Sequence, residues 1–264
     1  MRPTSSIVLF LLVCVNNVWS QDIVAHRGAS FDAPENTLAA FRLAWKQGAD
    51  AIEGDFQLTK DQHIVCLHDV DLQRTSNDPR KIADMTLAEV RQVDVGTWKH
   101  PRFKGERIPT LTEILALVPR GKRLFLEIKC GTEIIEPLRK IGLFPDKVVI
   151  ICFDREVIRQ CRKQLPQLKA HWLTSYKQNV VGQWKPSEKE LAKTLRELDA
   201  SGLDTKADPE RVTPTLVAKL REANLEFHCW TVDDVVLAKQ FQKLGVDSIT
   251  TNRPAWLRAE MKKK

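Results

Sequence analysis

The chain has 264 residues, is 43% hydrophobic and 28% charged, and carries a formal net charge of +7. This composition excludes a disordered or low-complexity chain and supports a full hydrophobic core. The length suits a single (β/α)₈ barrel. The basic balance favours anionic partners such as phosphate esters, a membrane surface or nucleic acid. Apart from Lys262, Lys263 and Lys264, however, the basic residues are scattered, with no basic stripe interleaved with aromatics and no DNA-binding motif. Nucleic acid is therefore not expected as a partner.

Residues 1–20 differ from the rest. Arg2 is their only charge, 6–15 is an apolar run, and a small residue, Ser20, precedes Gln21. This is the pattern of a secretory signal peptide cleaved after Ser20, so the mature domain is expected to span 21–264 and to be exported to the periplasm or secreted. The alternative is an uncleaved anchor, although the run is too short to span a bilayer, and no stable membrane insertion is expected after cleavage. Five cysteines remain after residue 20, an odd number without CxxC spacing. Buried thiols are expected, with a Cys152–Cys161 bridge as the alternative.

From residue 22, short apolar runs alternate with amphipathic stretches. The runs are 22–26, 51–56, 124–128, 148–153, 169–173, 203–207, 225–230 and 247–251. Helical patterns occupy 37–47, 132–141, 155–164, 187–199, 213–223 and 235–244, and a last helix starts at Pro254. Eight strands, each followed by helical sequence, predict a closed parallel (β/α)₈ TIM barrel; the alternative is an open doubly wound sheet. A long insertion separates strands 2 and 3. It holds a further apolar run at 64–67, a polar loop at 69–81, and short helical patterns near 87–91 and 112–118. Long loops at the C-terminal ends of barrel strands build active sites.

The chemistry-bearing residues cluster at those strand ends. Strand 1 ends in Ala25–His26–Arg27–Gly28, and strand 7 ends in Trp230. Strand 2 carries Glu53 and Asp55 at i and i+2, and strand 3 ends in Glu127 and Lys129 with the same spacing, so each pair projects together. Carboxylates inside a barrel are costly unless paired or metal-bound. Glu53, Asp55 and Glu127 are hard oxygen ligands suited to Ca²⁺ or Mg²⁺; the plainer alternative is salt bridging around the rim. Imidazole titrates near neutral pH, so His26 and His68 can serve as general base and general acid. Arg27 and Lys129 can hold phosphate oxygens. Taken singly, each histidine is more simply a packed or loop residue. His171, Trp172, Tyr176 and Trp184 offer a possible contact for a substrate alcohol group, or simply an aromatic rim. His228 is expected to pack, and His63 and His100 to lie at the surface.

Taken together, the set His26–Arg27, Glu53–Gly54–Asp55 and His68–Asp69 resembles the signature of the glycerophosphodiester phosphodiesterase family, in its order and spacing. AHRGASFDAPENTLAAF (25–41), LTKDQHIVCLHD (58–69), IPTLTEIL (108–115), LEIK (126–129), CWTVDD (229–234) and GVDSITTNRP (245–254) extend the resemblance over most of the chain. The resemblance implies that Glu53, Asp55 and Glu127 bind one divalent cation and that His26 and His68 form the acid–base pair. It implies that Arg27 and Lys129 bind phosphate and that Trp230 lines the pocket. Glu35 and Asn36 would support the His26 loop, and Asp69 would orient His68 or brace its turn. The implied reaction converts a small-molecule glycerophosphodiester to glycerol 3-phosphate and an alcohol. A phospholipase C- or D-like enzyme on the same barrel, or a non-catalytic phosphate-ester-binding protein, are the alternatives. Gly54, where the family usually has a bulkier apolar residue, is a departure that bears on the stiffness of strand 2.

Overall fold

The computed structural model describes residues 21–263. Residues 1–20, read above as a signal peptide, lie outside the described residues. Eight parallel strands form the barrel: β1 (Asp22–Ala25), β2 (Ala51–Leu58), β3 (Arg123–Ile128), β4 (Val148–Cys152), β5 (Lys169–Thr174), β6 (Gly202–Lys206), β7 (Glu226–Trp230) and β8 (Ser248–Thr251). Each pairs in parallel with the next, and closure comes from β8 against β1, with Asp22 opposite Ser248 and Ala25 opposite Thr251. The open doubly wound alternative is thereby excluded.

The β2 sequence AIEGDFQL is buried along its whole length, because both of its faces are covered. Ile52 and Phe56 turn outward into the large core shared with the helices. Ala51 faces inward with Val24, Phe125, Val149, Ile151 and Leu173, which pack together in the barrel interior. Gly54 has a packing reason: a Cβ there would come within 3.1 Å of both Phe41 Cζ and Cys66 Sγ. Those neighbours fill the space that a larger residue would occupy.

The outer ring comprises α1 (Leu38–Lys46), α2 (Leu111–Leu117), α3 (Ile135–Ile141), α4 (Arg155–Gln164), α5 (Glu188–Glu197), α6 (Pro214–Glu222), α7 (Val235–Leu244) and α8 (Pro254–Lys262). Six of them start at a Thr, Ser or Asp whose side chain accepts from the first turn: Thr37, Thr110, Asp154, Ser187, Thr213 and Asp234. Each such cap is worth about 1 kcal/mol and marks where a strand-end loop must stop. Thr132–Ile134 forms a 3₁₀ turn ahead of α3, so the helix predicted from residue 132 begins three residues later.

The insertion after β2 is more ordered than its polar composition predicts. Ile64–Cys66 runs antiparallel to the end of β2, and Asp71–Leu72 pairs with Asp78–Lys81 around a helical turn. It has its own small core of Val65, Leu67, Leu72, Ile82, Met85, Val90, Val93, Val95 and Ile108. A second hairpin, Lys177–Gln178 with Trp184–Lys185, follows β5. Cys152 and Cys161 are buried free thiols, so the alternative bridge is absent. No helix among the described residues is long and apolar enough to cross a membrane.

Candidate active site

The strand ends of β1, β2 and β3 converge on a cavity of about 260 Å³ at the C-terminal mouth of the barrel. His26, Arg27, Glu53, His68, Glu127, Lys129 and Trp230 line it, so seven of the eight residues singled out from the sequence reach the same space. The eighth, Asp55, is 1% exposed and lies behind them. It is held by Asn36, whose Nδ2 donates to Asp55 Oδ2 (2.8 Å), and by ion pairs to Arg27 (3.2 Å) and Lys129 (3.6 Å).

Local geometry delivers each group. His26 continues the β1 ladder, its N–H donating to Thr251 O at 2.8 Å. Arg27 and Gly28 then take left-handed backbone angles, φ 56° and 80°. Only glycine fits at the second position, since a Cβ would come within 2.7 Å of the Ala40 backbone. This turn points the Arg27 N–H at Glu53 Oε2, 2.8 Å away. His68 is set by the insertion: Leu67 N–H donates to Asp55 O, and Gln57 Nε2 grips the carbonyls of Leu67 and Asp69.

The two histidines differ in their supports. His26 Nδ1 lies 2.8 Å from Asn252 Oδ1. Asn252 Nδ2 donates to Asp233 Oδ2, and Ser30 Oγ donates to Asn252 Oδ1. The amide orientation is thereby set, and it presents an acceptor to the ring. His26 must then carry its proton on Nδ1 and leave Nε2 with a lone pair. Burial, and after it the Arg27 charge, lowers its pKa below the usual imidazole value. His68 Nδ1 instead donates to the Asp69 carboxylate at 2.7 Å. Asp69 is bound by Arg74, Arg74 by Glu35, and Glu35 by Arg27, so a chain of ion pairs links the two histidine loops. Although burial opposes it, Arg74 and Arg27 hold the Glu35 carboxyl down at about 2.

The carboxylates fit a cation. Glu53, Asp55 and Glu127 can each offer an oxygen such that the three lie within 4.8 Å of one another. Glu53 Oε1 and Asp55 Oδ1 are buried without a hydrogen-bond partner. Burial and the neighbouring carboxylates push Glu53 well above its usual range, and burial with Asp55 pushes Glu127 up to about 7. Lys129 donates to Glu127 Oε1 at 2.8 Å and offsets only part of this crowding. Two buried acids and a partly buried third so arranged call for a positive charge between them, and the all-oxygen donor set matches a hard divalent ion.

The other half of the cavity is mostly apolar: Ile151, Phe153 and Leu173 join Trp230, which meets Phe153 edge to face at 5.7 Å, and Thr250 adds a hydroxyl. Trp230 Nε1 is buried and unpaired. Asp204 also lines the cavity, 2% exposed, its carboxyl pushed well above the usual range by burial and then by Glu127. Sequence reading passed over Asp204, Ile151 and Leu173. Strand alternation carried the signal, since each lies two residues beyond another inward position. The proposed aromatic contacts fall elsewhere. His171 is fully buried within the barrel, Trp172 packs into the helix-facing core, and Tyr176 and Trp184 line a separate cleft below the second hairpin.

A closed (β/α)₈ barrel whose mouth combines acids, bases and cationic anchors is an enzyme of the anionic-ester-processing class. Comparison with known proteins narrows the class to one family. The model of the glycerophosphoryl diester phosphodiesterase family matches residues 26–256, and the chain belongs to that family. A glycerophosphodiester phosphodiesterase of Caldanaerobacter subterraneus subsp. tengcongensis is 35% identical over 246 residues, 89% of this chain and 95% of that protein. Among solved structures, a phosphodiesterase of Oleispira antarctica in complex with the product sn-glycerol-3-phosphate superposes with a TM-score of 0.79 at 26% identity. The match covers 92% of this chain and 97% of that one. A glycerophosphodiester phosphodiesterase from Agrobacterium tumefaciens gives a TM-score of 0.76 at 27% identity, covering 91% and 100%.

Proposed function

We propose that this enzyme hydrolyses glycerophosphodiesters to glycerol 3-phosphate and an alcohol, using one divalent cation, Ca²⁺ or Mg²⁺, and a two-histidine acid–base pair. The observation that carries the reading is the pocket itself: three crowded carboxylates with unpaired oxygens stand beside two imidazoles whose Nε2 atoms have no hydrogen bond among the described residues. Glu53, Asp55 and Glu127 would hold the cation, which when bound lowers the pKa of a coordinated hydroxyl and offsets phosphate charge.

The chain's own groups account for the proton traffic. His26 Nε2 takes the proton from the substrate's glycerol hydroxyl as that oxygen attacks phosphorus. His68 Nε2 gives a proton to the departing alcohol oxygen as its bond to phosphorus breaks. The roles are assigned from the contacts of the two rings: His68 Nδ1 donates to a carboxylate, whereas His26 Nδ1 meets a neutral amide beside Arg27. The cyclic phosphate so formed is opened by water with the roles exchanged: His68 removes the water proton and His26 returns one to the glycerol oxygen. Arg27 and Lys129 draw in the phosphate oxygens, and the unpaired Trp230 N–H gives a further donor on the apolar wall.

The metal part is tested by chelation and add-back. Turnover should disappear in excess chelator and return with Ca²⁺ or Mg²⁺. Glu53→Gln should weaken cation binding by about 10²-fold while circular dichroism stays unchanged, a penalty at least as large as that for losing an outer-shell partner. Cation affinity should rise as pH passes up through about 7, where the Glu127 carboxyl loses its proton and becomes a ligand. Full activity in a chelated sample free of metal by elemental analysis would remove the cation from the reaction.

Export is part of the same proposal, motivated by the apolar run at 6–15 and the small residue Ser20. The protein recovered from medium or periplasm should begin at Gln21 by N-terminal sequencing. A retained residue 1–20 segment on a membrane-bound product would mean an anchor instead.

A further inference from the structure

A second cluster of possible ligands lies in the barrel away from the catalytic cavity. His171 on β5 is two residues before Leu173, and His228 on β7 is two residues before Trp230, so each faces the interior one layer below a cavity-lining residue. The two imidazoles stack at 4.7 Å and 13°, and Phe125, two residues before Glu127, packs its ring edge-on to both. Glu226, at the start of β7, brings Oε2 to 3.2 Å from His171 Nε2 and 3.6 Å from His228 Nε2.

None of these facing atoms makes a hydrogen bond. His171 is 0% exposed and His228 1% exposed; their Nε2 atoms meet Glu226 Oε2 only as ion-pair approaches outside hydrogen-bond geometry, and His171 Nδ1 has no hydrogen bond at all. Buried polar atoms left this way are costly, and their convergence calls for something between them. Gly202 on β6 lies between β5 and β7, opposite His171 on one side and Glu226 on the other. A Cβ at 202 would meet His171 Nε2 at 3.0 Å and the Glu226 carbonyl at 2.6 Å, so the missing side chain keeps the space clear.

We propose that His171, His228 and Glu226 form a second metal site, structural in role, that takes zinc. Two imidazole nitrogens and one carboxylate oxygen are zinc's donor set rather than that of calcium or magnesium. Zinc–ligand bonds of about 2.0–2.1 Å at tetrahedral angles place donor atoms roughly 3.3–3.4 Å apart, and the two donor spacings to Glu226 bracket that value. His228 Nδ1 lies 2.7 Å from Ser248 Oγ, the outer-shell contact that sets a ligating histidine's tautomer and ring angle. Binding requires the nearly parallel rings to tilt toward one another, and His171, with no hydrogen bond at either nitrogen, is the ring that turns. Glu226 also lines a surface cleft of about 270 Å³ with Asp247 and Phe227, which gives the ion a way in. Lys169, ion-paired to the other carboxylate oxygen, leaves Oε2 available. Water completes the fourth position.

The test uses the full chain carrying Glu53→Gln, so that the catalytic carboxylates compete less, in excess Mg²⁺. Equilibrium dialysis against micromolar zinc should retain one equivalent, and the added Glu226→Gln change should weaken retention by at least about 100-fold, with unaltered circular dichroism. The melting temperature should rise with zinc in the first protein and not in the second. Cobalt on the unaltered chain should give the intense visible absorption of a four-coordinate site, and Glu226→Gln should remove it. No zinc retained by the Glu53→Gln chain, or retention indifferent to Glu226, overturns the site and leaves the proposed phosphodiesterase reaction untouched.

Discussion

A substrate analogue in which hydrogen replaces the glycerol hydroxyl next to the phosphate should turn over roughly 10³–10⁶-fold more slowly than its parent. The estimate sets the effective molarity of a well-placed internal nucleophile, about 10⁵–10⁸ M, against bulk water. The structural motive is that, among the described residues, one set of carboxylates capable of binding a cation stands at the cavity: Glu53 and Glu127 line it, with Asp55 directly behind. A two-metal hydrolase, which activates water directly, would present a second ligand set to the same space. The other cluster among the described residues, His171 with Glu226 and His228, does not line that cavity. On the proposed one-cation mechanism, the neighbouring hydroxyl would be the nucleophile already held beside phosphorus. The analogue would keep the proposed phosphate contacts to Arg27 and Lys129, so KM should change little while kcat collapses. Steady-state kinetics on the matched pair, with trapping of a cyclic phosphate from the parent, decide the matter. Comparable kcat values would mean that water attacks directly.

His26→Ala and His68→Ala should each lower kcat by roughly 10²–10⁴, the range for a positioned general acid or base. The double change should cost less than the product of the two, because both protons move in one step. The pH profile separates the roles. A base works only when unprotonated, so activity through His26 is lost as pH falls through its pKa. Burial and then the Arg27 charge lower that pKa, so the acid-side decline of kcat/KM should lie below the usual imidazole value. Asn252→Ala should disturb this limb without touching substrate, since it removes the acceptor that keeps Nδ1 protonated. A histidine variant with wild-type kcat would take that residue out of the mechanism.

Most of the fold could be read from the chain because its signals are local. Eight apolar runs with helix-capping Thr, Ser and Asp between them are visible within windows of about ten residues, and the strand bounds differ from the observed ones by one or two positions. The spacing Glu53–Gly54–Asp55 places two carboxylates on one face wherever the strand goes. The insertion was harder to read. Its polar run at 69–81 conceals a hairpin whose stability comes from a core assembled between Leu72, Ile82 and distant Val65 and Ile108, and no window contains all four.

The sequence by itself determined that His26, Arg27, Glu53, Glu127, Lys129 and Trp230 would stand at the barrel mouth, since alternation along a strand and position at its end are properties of a few consecutive residues. Only the tertiary structure decided how those groups behave. His26 takes its tautomer from Asn252, 226 residues away, through the closure of β8 on β1. Asp55 leaves the cavity surface because Asn36 and Arg27 from the loop after β1 and Lys129 from the end of β3 all hold it. Asp204 becomes part of the pocket, and His171 meets His228, because β6 pairs with β5 on one side and β7 on the other. The physical reason is common to all four: burial and electrostatics depend on which segments meet across the barrel, and that information exists only once the ring of strands is complete.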